Sequence, residues 1–200
     1  MRKKFKVDNV TLSYLNLQTQ KENRGNVLTF LILFLDVIGL IPIIGEPFSK
    51  AYCIAAIIPA GIIHIWAILY IVAPYKFEHS YYLFMGCYAV VNTYIYFLVS
   101  QKLLSLHIGV ESMVPFVIGF IFFIGLIVFM NWLNLKALYS GTYYELQRKK
   151  SINVNYLSIG SLGYLLGQSI LAFAYSDSVA MIIIVVGVSL LSIIIAYFSI

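Results

Sequence analysis

The chain has 200 residues, of which 62% are hydrophobic and only 10% charged, and it carries a formal net charge of +5. A soluble domain has about a quarter charged residues, so this composition excludes an ordinary soluble enzyme or binding module. Two cysteines also exclude a disulfide-framework scaffold.

Six apolar stretches follow one another at residues 27–45, 51–74, 80–100, 113–135, 156–175 and 179–199. A helix needs about 20 apolar residues to cross the hydrocarbon core. The expected fold is therefore all-α: an integral membrane bundle of six transmembrane helices. A cytoplasmic tail at 1–26 precedes one membrane domain at 27–200, which includes a basic cytoplasmic loop at 136–155. In lipid every backbone polar group must be satisfied internally, which leaves helices as the open solution for such runs.

The charges set an expected orientation. With the N-terminus inside, eleven of the thirteen lysines and arginines lie in inner segments, and only Lys50 and Lys102 fall in outer loops. Basic loops are retained in the cytoplasm, and an even number of spans returns the C-terminus there. The same segregation argues against a nucleic-acid partner. The charged region before the first span is too long for a signal peptide, and Asp36 interrupts the apolar run.

In chain order, the first span carries Asp36 near its middle, with Pro42 and Gly39 beyond it. The second carries Pro59, Gly61 and His64. Cys53, near the outer end of span two, and Cys87, low in span three, differ in depth by roughly 15 Å. A disulfide needs Cα atoms within about 7 Å, so both are read as buried, reduced and structural. Span three has Asn92 at its centre and is followed by an outer loop at 101–112. Span four holds Gly125, where a neighbouring backbone could approach, and Asn131 and Asn134 at its inner interface. Arg148, Lys149 and Lys150 in the following loop suit anionic lipid headgroups. Span five contains Gln168 and the GxxxG pair Gly163 and Gly167, a packing motif that allows a homodimer face. Span six has Ser189 at its centre.

Ionisable residues inside spans are costly and are functional candidates by default. Counted from the inner end at about 1.5 Å per residue, Asp36, His64 and Ser189 lie near 15 Å, and Asn92 and Gln168 near 18 Å. These five residues form an expected intramembrane polar layer. One reading makes Asp36 and His64 a proton-accepting or ion-binding pair, since histidine changes charge easily. The other makes the layer interhelical glue.

No zinc-binding spacing, Walker loop, G-x-S-x-G elbow or C-x-x-C pair occurs. No catalytic residue, metal ligand or cofactor is therefore assigned, and a non-enzymatic protein is expected. The abundance of Ile, Phe, Tyr, Lys and Asn, the three arginines, the basic start at Met1 to Lys6 and the bare spans resemble small multi-pass membrane proteins of Gram-positive bacteria. Some of those are encoded beside type VII secretion systems and their toxins. That resemblance implies a cell-membrane protein binding a membrane-active partner, of immunity or secretion-associated type. The rival expectations are a small proton- or cation-linked transporter or channel subunit using Asp36 and His64, and a structural subunit of a larger complex.

Overall fold

The computed structural model describes residues 20–77, 80–110, 112–140 and 177–196. Five helices in it are long and apolar enough to cross a bilayer. The first, α1, is built from three joined segments: Gln20–Thr29, a π-helical stretch Phe30–Leu40, and Ile41–Ile44. It is followed by α2 (Lys50–Val72), by α3 (Tyr81–Lys102, continued in wider π-helical turns over Leu103–His107), by α4 (Val114–Ser140) and by α5 (Asp177–Ala196). A single turn at Pro74–Phe77 joins α2 to α3. No strand occurs among the described residues. The fold thus defines a membrane-embedded, multi-pass, all-helical protein. The fifth expected span, with Gln168, Gly163 and Gly167, lies outside the described residues, as do Arg148, Lys149 and Lys150.

The helices do not share burial equally. In the most apolar window of α3, 72% of residues are buried, against 11–28% in the other four. This makes α3 the central post, against which α1, α2, α4 and α5 all pack. Its side chains explain the role. One flank carries Tyr81, Phe84 and Tyr88, whose rings meet Tyr70 and Trp66 of α2 and Phe30 of α1 at centroid distances of 5.5–6.4 Å. The other carries Tyr94 and Phe97, which meet Phe116, Phe120 and Phe123 of α4 at 5.5–6.2 Å. Lipid tails are as apolar as these rings, so close packing rather than burial from water favours the association.

Two glycines permit the tightest approaches. A Cβ on Gly39 of α1 would stand 2.9 Å from Ile95 Cγ2 of α3, and one on Gly119 of α4 would run into Gln101 and stand 3.2 Å from Phe97. Gly125, the expected approach point on the fourth span, has nothing within 4 Å of its would-be Cβ. The close crossing of α3 and α4 falls nearly two turns earlier, because Phe97 and Gln101 need the gap there.

The expected outer loop at 101–112 is also corrected. Gln101 and Lys102 are the last α-helical residues of α3, are buried at 6% and 1% exposure, and helical turns continue to His107. Leu103, Leu104 and Leu106 carry the apolar character past the charge. Cys53 and Cys87 are free thiols, but both are partly exposed rather than buried. Asn134, expected at the interface, is 3% exposed inside the bundle.

Candidate functional site

The structure brings Asp36 and His64 together. Asp36 sits in the π-helical stretch of α1, His64 just past the middle of α2, and Asp36 Oδ1 lies 2.9 Å from His64 Nε2. On the far side of the ring, His64 Nδ1 is 2.8 Å from the carbonyl of Ala60, one turn back on the same helix. A carbonyl can only accept, so Nδ1 carries a proton and donates it. The Nε2–Oδ1 contact is then a hydrogen bond only when a second proton lies between them. That proton makes either a histidinium–carboxylate pair or a neutral imidazole–carboxylic acid pair. Both have zero net charge. Without it two lone pairs face each other, and Oδ1, shielded from solvent, has no donor.

The π-helical geometry of α1 is stabilised from α3. Tyr88 donates its hydroxyl to the carbonyl of Phe30 at 2.7 Å, and Tyr96 donates to that of Phe34 at 3.0 Å. These carbonyls flank the turn that leads into Asp36. Wider π turns are found often at functional sites and re-aim side chains relative to an α-helix. Asn92 falls between the two tyrosines on the same face of α3, by i, i+4, i+8 spacing. It is fully buried, and neither amide atom completes an aligned hydrogen bond. The hydroxyl of Tyr96, one turn away, donates to Phe34 and keeps lone pairs toward which the Asn92 amide is turned.

Of the other expected layer residues, Asn92 and Ser189 are described, and neither contacts the pair. Ser189 gives its hydroxyl to the Val185 carbonyl of its own helix at 2.8 Å. It lines a largely apolar cavity of about 450 Å³ between α3, α4 and α5, which neither Asp36 nor His64 reaches. The reason is rotational: depth along a helix is set by residue count, but the face is set by how the helix packs.

A second constellation escaped the sequence reading. The ammonium of Lys102, at the C-terminal end of α3, donates to the carbonyls of Pro42, Ile43 and Gly45 at 2.8, 2.9 and 2.6 Å. Those carbonyls belong to the end of α1, where the last four C=O groups of a helix lack partners within it. A cation there also meets the negative end of the helix dipole. The available signal was the run Leu103, Leu104 and Leu106 beyond the lysine, which keeps the segment apolar past an apparent boundary.

Among the described residues no cluster of His, Cys, Asp and Glu could hold a metal ion. No protein-family model, curated protein or solved structure matches the chain. The functional argument therefore stands on the helices and their buried polar groups.

Proposed function

We propose that this is a multi-pass protein of a bacterial cell membrane, with both termini cytoplasmic, that works as a small proton-linked channel or transporter subunit through Asp36 and His64. The observation that carries the reading is the geometry of the pair: His64 Nδ1 is committed to Ala60, and Nε2 stands 2.9 Å from Asp36 Oδ1, a contact that one shared proton would turn into a hydrogen bond. Taking up that proton removes a net negative charge from mid-membrane depth, and releasing it restores the charge. An exposed charge at that depth costs about 2.5–3.5 kcal/mol even on insertion scales. Proton occupancy is thereby coupled to the packing of α1 against α2.

The test is proton flux into proteoliposomes containing a pH-sensitive dye, driven by a valinomycin-set potassium potential. Wild-type vesicles are expected to acidify faster than protein-free ones, and Asp36→Asn and His64→Gln to reduce the flux to the protein-free rate. Wild-type flux equal to that of empty vesicles refutes the reading.

A second reading rests on a different property of the same face. The partly exposed pair shares its two helices with exposed apolar side chains, Leu33 and Val37 on α1 and Ile57 and Ile68 on α2. A polar group set in an apolar, membrane-facing surface suits a partner helix that brings its own hydrogen-bonding side chain. This is the toxin-binding or secretion-associated role that the layout resemblance implies, with Arg148, Lys149 and Lys150 on lipid headgroups. Photocrosslinkers at Leu33 and Ile68 would trap such a partner in cells, and proton flux would be unchanged by Asp36→Asn.

A further inference from the structure

We infer that the C-terminal end of α1 is a monovalent-cation site whose resident cation is the Lys102 side chain. The inference is independent of the Asp36–His64 reading. Three backbone carbonyls, from Pro42, Ile43 and Gly45, converge on one point at 2.6–2.9 Å. An ammonium has three protons and no acceptor, so each proton has one carbonyl and none is left over. The group is 1% exposed.

The Glu46 carboxylate acts on the Lys102 charge from the next residue along, but it makes no ion pair with it within 4.0 Å. Among the described residues the ion pair within 4.0 Å is that of His64 and Asp36, and Glu46 Oε2 accepts instead from the backbone N–H of Phe48 at 3.0 Å. The contacts to the positive charge are thus made by carbonyl dipoles, with the Glu46 carboxylate adding an attraction from farther off. Rings of carbonyls replacing a hydration shell are how membrane proteins hold small monovalent cations. The ligand class is fixed by that chemistry: an ion of ammonium size, accepting coordination from neutral oxygens. Arginine would not substitute, because its planar fork cannot aim three protons at three carbonyls on one side.

The consequence is mechanical. Lys102 reaches from α3 to α1 and fastens the two C-terminal ends together, six residues beyond Asp36 on α1. A free cation would fill the cage but would not tie the helices. Tethering the cation to α3 makes the lock independent of the salt outside.

The experiment uses the full-length protein in detergent, in buffer whose cation is tetramethylammonium, which has no N–H donor and is too large for the cage. Lys102→Ala removes the side chain beyond Cβ, a fragment with the composition of propylammonium. Its Tm is expected to fall by at least about 5 °C, and added propylammonium is expected to restore at least half of the loss. Gly45 is exposed, so the vacated cage opens to solvent. Potassium rescue as well would assign the affinity to charge, whereas rescue by propylammonium alone would assign it to the three N–H donors; both support the site. Lys102→Met fills the space without charge and should lose stability without rescue. Absence of rescue in Lys102→Ala, or equal rescue of Lys102→Met or wild type, overturns the inference.

Should Lys102→Ala not fold, the wild-type protein still decides. Reductive methylation followed by mass mapping should modify the exposed Lys50 at least tenfold faster than Lys102 in folded protein, with the difference lost on denaturation. Methylation of Lys102 at the rate of Lys50 overturns it.

Discussion

Gly39→Ala is expected to destabilise the protein even though alanine is the better helix former. The added Cβ would lie 2.9 Å from Ile95 Cγ2 and 3.7 Å from the ring of Tyr96. Neither neighbour can yield cheaply. Ile95 and Tyr96 are both fully buried, the isoleucine is stiff about χ1, and the tyrosine hydroxyl is held by the Phe34 carbonyl. Forcing one extra carbon into such a core costs about 1–3 kcal/mol. Helix propensity offsets this by about 0.5–1 kcal/mol, so the centres of the two ranges leave a net loss of roughly 1 kcal/mol. For a chain of this size that lowers Tm by roughly 2–4 °C. Thermal unfolding of the purified protein in detergent measures it, with Gly125→Ala as the counterpart. At Gly125 the new Cβ meets nothing within 4 Å, so only the propensity gain of about 0.5–1 kcal/mol remains and Tm should rise. The decisive comparison is the pair Gly39→Ala with Ile95→Ala. Removing Cγ2 makes room, so the double variant should be more stable than the sum of the single losses by at least about 0.5 kcal/mol. Strict additivity, or a Gly39→Ala protein as stable as wild type, would refute the packing of α1 on α3.

Tyr88→Phe and Tyr96→Phe each remove one hydrogen bond to α1 and keep the ring. Each should cost about 0.6 kcal/mol, the average found for such bonds in membrane proteins, by the same unfolding assay. The proposed orientation predicts that single cysteines placed at residues 4 and 149, in a chain lacking Cys53 and Cys87, stay unlabelled by impermeant maleimide in intact cells. One placed at residue 50 should react.

Much of this architecture was legible from residue order alone. Long apolar runs must become helices because lipid offers the backbone no partner, and the four expected spans before residue 140 and the last one all meet described helices. The depths of Asp36 and His64 were equally legible, since rise per residue is fixed. Their juxtaposition was not. It needs the right rotation of both helices, and α1 reaches its rotation through π-helical turns that follow no periodicity in the sequence. Lys102 shows the same limit from the other side. A lysine read along the chain marks the end of a span, because a lone ammonium in lipid is costly. Its real position depends on three carbonyls nearly sixty residues earlier, supplied by a helix end that only tertiary packing brings alongside. Charge and hydropathy belong to residues and can be counted in order; the partners that make a buried charge tolerable belong to the fold.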